Sequence, residues 1–534
     1  MKAYLALAAG LWIGSCALAQ GTGKPKPGTQ KKKVKTFEQE LFTKKADDLF
    51  QFKNYTGALA EYLALLTQNP TNERLGMQIG RCYLNLNEDR SKALPFLQPA
   101  LENPKNNRLI EYYYAKALTY ANQYSDAVDW FRKALSIDDL TSEEKKLIEC
   151  DLEMASNGKE LVKFPLKVTF ENLGKNINTP FADFSPYISF DEGFLIFNSR
   201  QESDGVRMAN GNYTSDVYIS EVYLGDWQQA RNLGEVVNTK AGDESVVGVS
   251  ADGLTMVYNI NPSATEGQGQ IFVGPKYENQ ILKPIKLNSF INSTSRQNSA
   301  TISPDGKTLY FSSDRPGGFG GFDLYRSLIL PDGEWSEAQN MGPEINTPYD
   351  EDFPNLSMDG LTLYFSSKGH NSMGGFDVFR TLLDEEKGTW GAPQNVGYPV
   401  NNAYDNIDLC MSGKGRYGYM ARMQSDGFGD LDVYRITFQE VEPEVTVIKG
   451  TVLGPNGNRA DGVSISIKNL KNSQLVGEYL PNPKTGKYVA ILPPGAYEIS
   501  VSASGFGPLR ERLDVLGKSS FVPFISKDLT LPSR

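Results

Sequence analysis

The chain has 534 residues, too many for one hydrophobic core and enough for three or four domains. A net charge of −10 and a pI near 5.1 argue against nucleic acid as the main partner, because phosphate binding needs a concentrated basic surface. The single histidine, His370, excludes His-rich metal sites and leaves almost no material for a Ser-His-Asp relay.

The N-terminus indicates the compartment. Met1-Lys2 is a minimal positive region, Ala3 to Gly14 is apolar, and Ala17-Leu18-Ala19 precedes Gln20 as a small-x-small cleavage site. Residues 1–19 therefore read as a secretory signal peptide. A rival reading takes Ile13-Gly14-Ser15-Cys16 as a lipobox and Cys16 as a lipidated N-terminus. No later run approaches the roughly 20 apolar residues of a spanning helix, so the expected location is the periplasm, with lipid as the only direct membrane tether. Cys82, Cys150 and Cys410 have no paired spacing; they predict buried free thiols rather than disulfides or a zinc site. Residues 20–36 hold six lysines among Gly, Pro and Thr, either a solvated linker or an attachment to an anionic surface.

Between residues 37 and 158, apolar residues recur at i, i+3 and i+4, which predicts helices. Ala46, Gly80 and Ala115 recur at 34 and 35 residues, each in the middle of a first helix. Ala58, Ala93 and Ala127 recur at 35 and 34, each just inside a second helix. Small residues there let antiparallel helices approach closely, and Pro70 and Pro104 stop two of the units. The unit resembles the tetratricopeptide repeat, best from Gln39 to Pro70, with Leu49, Tyr62 and Leu65 at the large positions. Three units are expected, closed by a solvating cap helix around Thr141 to Asn157. Such repeats bind peptides or proteins on a concave face. Their first helices would present Gln78, Arg81, Asn85, Tyr112, Lys116 and Tyr120, a polar and aromatic set suited to an extended peptide; the alternative for the tyrosines is simple packing between helices.

From 164 to 439 the period changes to two. SPDGKTLYFSSDRPGGFGGFDLYRS (Ser303 to Ser327) is echoed by SMDGLTLYFSSKGHNSMGGFDVFRT (Ser357 to Thr381), with weaker copies at SFDEGFLIFNSR, SADGLTMVYNIN and SGKGRYGYMARM. One landmark falls at Asp216, Gln270, Asp323, Asp377 and Asp432, and a second at Asn178, Asn238, Asn292, Asn346 and Asn401. A third is Trp227, Trp335 and Trp390, with Ile281 equivalent. Extra residues between Arg200 and Asn212 predict a long hairpin loop. Each unit predicts four short strands, with Asp-Gly and Gly-Gly turns, and so one blade of a β-propeller. The last copy lacks its own outer strand, and the missing piece stands at Thr169 to Thr179, where it would close the ring and hide both sheet edges. Five blades are expected, or six if the Ala251 unit conceals an insertion. The SPDG and GGFDLY strings resemble the WD40-like PD40 repeats of TolB-type propellers; Gly413-Lys414-Gly415 departs from that pattern.

Beyond an acidic linker, Glu440 to Glu444, residues 445–532 alternate strictly. VTVIKGTVLGPNGNRADGVSISIKN and GKYVAILPPGAYEISVSASGF resemble the carboxypeptidase regulatory-like domain, which implies a seven-stranded Ig-like sandwich without catalytic function. The fold class is thus multidomain, α plus all-β: helical repeats, propeller, sandwich.

Acidic residues open several innermost strands: Asp183, Asp243 with Glu244, Asp350 with Glu351 and Asp352, and Asp405 with Asp408. They form either a cation or basic-peptide site at the propeller mouth or local turn caps, with Arg296 interrupting the ring. Asp216, Asp323, Asp377 and Asp432 are expected to bond backbone amides. His370 is read as exposed and without a role. No Gly-x-Ser-x-Gly elbow, P-loop or His-Glu-x-x-His motif occurs, so no catalytic residue, metal or cofactor is assigned.

The domain order resembles the PorE-type periplasmic proteins of the Bacteroidota type IX secretion machinery. The resemblance implies a non-enzymatic scaffold for outer-membrane or periplasmic secretion components. That family adds an OmpA-like domain that anchors peptidoglycan; this sequence stops at Arg534, so that role is not carried over. The alternative is an envelope receptor that takes a small ligand or glycan at the propeller mouth.

Overall fold

The computed structural model describes residues 43–103, 108–189, 192–202, 205–250, 253–263, 268–277, 280–384, 386–413, 416–439, 446–481, 486–516 and 524–534. The leader 1–19 with Cys16, the lysine-rich 20–36, Pro104 and the acidic stretch 440–444 lie outside the described residues. Among the described residues, no helix is long and apolar enough to cross a membrane.

The helical region begins with α1 (43–51), α2 (Tyr55–Gln68) and α3 (Glu73–Tyr83). Side-chain caps start two of them: Asn54 accepts from Gly57 N, and Asn72 from Leu75 N. The repeated small residues lie at helix crossings. Ala46, Ala58, Ala93, Ala115 and Ala127 are fully buried, and a Cβ on Gly80 would stand 2.5 Å from Leu97 Cγ. The fourth element departs from the expected regular helix. It is a single α-turn, α4 (Leu94–Leu97), between 3₁₀ turns at Arg90–Ala93 and Gln98–Glu102, because Pro95 and Pro99 each remove a backbone donor. Next come α5 (Ile110–Tyr120), α6 (Tyr124–Ala134) and α7 (Ser142–Leu161), the last opened by a Thr141–Glu144 capping box.

α7 is not the solvating cap that its charge suggested. It buries Ile148, Leu152, Met154, Ala155, Asn157, Gly158, Glu160 and Leu161, and Gly158 lies against the Tyr124 ring. Its far side meets the other domains: Asn157 Nδ2 donates to Ser372 O (2.9 Å), the helix packs on Lys487–Leu492 of the sandwich, and Lys163, just past its end, stands over Tyr479. Met373 of the propeller is fully buried in the helical core cluster. The charges of α7 mark an interface as well as a solvent face.

Five antiparallel sheets follow, which gives five blades. Their inner strands are Asp183–Ile188, Asp243–Val249, Gln297–Ile302, Glu351–Leu356 and Cys410–Met411. Four outer edges are short pieces, such as Asp226–Trp227 with Arg231–Asn232. The fifth is the expected closing strand: Val168–Asn172 pairs antiparallel with Asp432–Phe438, from Val168 opposite Phe438 to Asn172 opposite Tyr434.

The repeated Asn and Asp landmarks are the bolts of this ring. Asn178, Asn238, Asn292, Asn346 and Asn401 each exchange two hydrogen bonds with one backbone unit, at Val433, Val217, Ile271, Leu324 and Val378 respectively. Asp216, Asp323, Asp377 and Asp432 accept from Asn232, Asn340, Asn395 and Asn172. Blade 2 replaces both partners of this pair together, with Gln270 and Lys286. Asp323, Asp377 and Asp432 also accept loop backbone amides, as expected.

The C-terminal domain packs two sheets face to face. Thr446–Leu453 lies between Lys487–Leu492 and the parallel pieces Phe524–Ser526 and Leu529–Thr530. The other sheet runs Leu475–Tyr479, Ser464–Asn469, Gly495–Ser502, Leu509–Val515, and Ile465, Ile467, Tyr497 and Ile499 fill the space between. This is a sandwich, as the resemblance of these strands implied.

Candidate functional site at the propeller mouth

Three of the mouth carboxylates are ring staples rather than open ligands. Asp183, Glu244 and Glu351 are fully buried and hold the residue four or five positions earlier, at Thr179, Thr239 and Thr347. Gln297 and Asn406 do the same in the other blades, on Ser293 and Asn402. Each Asn-Thr type turn therefore grips one blade with its first residue and the next blade with its second. Burial pushes Asp183, Glu244 and Glu351 up to about 7. The reading of these three as an accessible cation site is corrected: they face turns, and water does not reach them.

Asp243, Asp350 and Asp405 are partly open, yet they too join blades. Their Oδ1 atoms accept from Ser215 N (2.7 Å), Phe322 N (3.0 Å) and Phe376 N (2.9 Å) of the preceding blade. Burial opposes ionisation of Asp350, but Lys368 Nζ at 2.8 Å overrides it and holds the carboxyl below its usual range. Arg296 occupies the equivalent place in blade 3 and pairs with Asp314 instead (2.7 Å). Among the described residues, no group of three His, Cys, Asp or Glu could hold a metal.

A cavity of about 520 Å3 opens at the ring axis. Bulges in the inner strands turn residues toward it, and Ser185, Phe353 and Asp408 adopt left-handed φ of 50, 53 and 55° there. For a residue as bulky as phenylalanine that is a strained conformation. The backbone at Phe353 is held by its neighbours: its N–H reaches Asp352 Oδ1 and Ser299 Oγ, and buried Asp352 also takes Ser312 and Asn298. Asp408 accepts from Ser185, and burial pushes it up to about 7. The rim adds Phe184 and Phe322, with the Arg200 and Arg296 guanidiniums stacked over them at 5.3 and 4.9 Å. Arg200 and these phenylalanines are functional candidates that sequence reasoning missed; the available signal was a charge closing the middle strand at 200, 314 and 368.

The helical candidates divide into two groups. Gln78 and Arg81 remain part-open on α3 and Asn85 is exposed just past its end, linked through Arg81 Nη1 to Gln78 (2.7 Å) and Asn85 Nδ2 to Arg81 O (2.8 Å), with Arg81 stacked on Phe50 and Tyr113. Tyr112, Lys116 and Tyr120 are corrected from groove wall to internal contacts. Tyr112 is buried with its hydroxyl on Asp151 (2.8 Å), Lys116 pairs with Asp151 (3.2 Å), and Tyr120 packs on propeller residue Tyr404 with Arg90 beside both rings. His370 is likewise not idle at the surface. Its ring packs on Phe365 and Phe379 with Nε2 2.9 Å from Ile345 O, and burial lowers it to about 3. Cys82 and Cys410 are buried free thiols, whereas Cys150 is part-exposed.

The chain is thus a helical array, a five-bladed propeller and a sandwich in contact. No protein-family model and no curated protein matches it. Solved structures give distant likenesses. An α-L-arabinofuranosidase from Podospora anserina is 13% identical over 52% of this chain and 98% of its own, with a TM-score of 0.34. One from Lactobacillus brevis is 7% identical over 52% and 94%, at 0.30. A protein of unknown function from Dyadobacter fermentans is 10% identical over 48% and 76%, also at 0.30. The blade count rests on strand pairing and needs none of them.

Proposed function

We propose that this chain is a non-catalytic protein-binding scaffold of the cell envelope. In this reading the leader exports it to the periplasm, its helical hairpins are tetratricopeptide repeats, and it serves a PorE-type outer-membrane assembly of the type IX secretion machinery. One observation carries the reading: α7 packs against both the propeller and the sandwich, so the helical array, propeller and sandwich are held in contact with one another. A scaffold needs that contact. The mouth carboxylates support it, because most are already engaged in holding blades together. Envelope crosslinking followed by identification of the captured chains tests the proposal. Recovery of outer-membrane secretion components is expected; retention on glycan with no protein partner would refute it. The axial cavity favours one alternative, a receptor for a small ligand or glycan, which the same experiment separates.

A further inference from the structure

The axial cavity has a neighbour. A second cavity of about 680 Å3 shares Phe184 and Arg200 with it and runs outward between the first helical hairpin and blade 1. One wall carries Asn54, Thr56 and Asn87; the other is the blade 1 loop with Arg207, Asn212 and Tyr213. At about 680 Å3 the second cavity lies within the roughly 300–1,000 Å3 of sites that take small molecules.

The loop wall is a built hairpin. Met208 N donates to Asn212 O (2.7 Å), Thr214 N to Val206 O (3.0 Å), and Arg207 bridges Tyr213. Ring closure does not require it, since the corresponding connections at 314–322, 368–376 and 423–431 are shorter than 200–215. Arg207 is exposed, and its guanidinium has no hydrogen bond or ion pair among the described residues. Arg200 stands further in, donating from Nη1 to Tyr213 O (2.7 Å), with Asp243 at 3.6 Å. Of the acids that line the two cavities, Asp243 faces Arg200, while burial shifts Asp408 and Asp430 toward the neutral form.

We propose that this trough holds an extended polypeptide segment bearing a carboxylate. The acid meets Arg207 and Arg200, and the main chain runs along the trough beside the point where Gly211 of the loop meets Asn54 of the helical wall. Guanidinium and carboxylate match as a two-pronged pair. Side-chain amides such as Asn87 and Asn212 carry both donor and acceptor, which the alternating N–H and C=O groups of an extended chain require. The inference rests on the protein-binding reading and adds its site and the chemistry of its partner.

The test uses the full mature chain and three labelled probes: short peptides with glutamate at alternate positions, the same peptides with lysine, and a neutral chito-oligosaccharide. Fluorescence anisotropy should show the glutamate peptides binding and the lysine peptides not. Arg207→Glu, a change at an exposed side chain, should weaken glutamate-peptide binding about tenfold or more, and added salt should weaken it in the native chain. Absence of binding, or equal binding to the variant, overturns the assignment. Oligosaccharide binding that Arg200→Ala abolishes overturns it in favour of a glycan. If the Arg207→Glu chain still captures its protein partners on envelope crosslinking, the site assignment falls while the protein-binding reading stands.

Discussion

Glu351→Gln tests whether the ring staples are held as neutral acids. Glu351 is fully buried, accepts from Thr347 N (2.7 Å), Thr347 Oγ1 (2.6 Å) and Ser367 Oγ (2.6 Å), and is pushed by burial up to about 7. In the unfolded chain it titrates near 4.5. Because the folded value is the higher, this group's contribution is fully present below about pH 4.5 and is lost as pH rises through 7. At about 1.4 kcal/mol per unit, the loss approaches about 3.5 kcal/mol. Glutamine fixes the neutral form, and blade 3 already uses Gln297 at this position. Thermal unfolding should be followed from pH 5 to 8 through the propeller tryptophans. The native chain should lose stability across this range, and Glu351→Gln should recover roughly 5–10 °C at pH 8 with little change at pH 5. Parallel profiles for the two chains would show that Glu351 is ionised in the fold and would refute the reasoning.

Three further outcomes are expected. Gly80→Ala places a Cβ 2.5 Å from Leu97 Cγ, so overpacking of about 1–3 kcal/mol should exceed the roughly 1 kcal/mol gained in helix propensity, read from the helical melting transition. Asn346→Ala leaves the buried Leu324 N–H without a partner, while its carbonyl keeps Met341 N (3.0 Å), and should destabilise the propeller by about 1–3 kcal/mol in urea titration. A propeller starting at Asn178 lacks the Val168–Asn172 strand and should aggregate or melt well below one starting at Val162; equal melting points would deny that closure.

The ring was legible because its bolts are side chains at a fixed period. Asn346 and Asp323 perform the same bonding in every blade that keeps them, so geometry left a trace in the spelling. Helix crossings were legible for the same reason, through Ala58 and Gly80. The mouth was not. Asp350 and Glu351 are neighbours with opposite fates, one part-open and one sealed, because adjacent strand residues point to opposite faces. Composition could not show that Tyr120 meets Tyr404 across 284 positions, or that α7 would be covered on two sides. His370 misled for a similar reason: its loop sequence is polar, but the fold turns the ring inward onto Phe379.

The closing strand also determines how the chain bears load. It enters the propeller at Val168 directly opposite Phe438, where the chain leaves for the sandwich, and Gln439 N donates to Lys167 O beside them (3.0 Å). Entry and exit are therefore a single point. Tension drawn between the helical array and the sandwich passes through that point and bypasses four of the five blades. It would peel Val168–Asn172 from Asp432–Phe438 one rung at a time, beginning at the Lys167–Gln439 rung, like a zipper opened from its slider end.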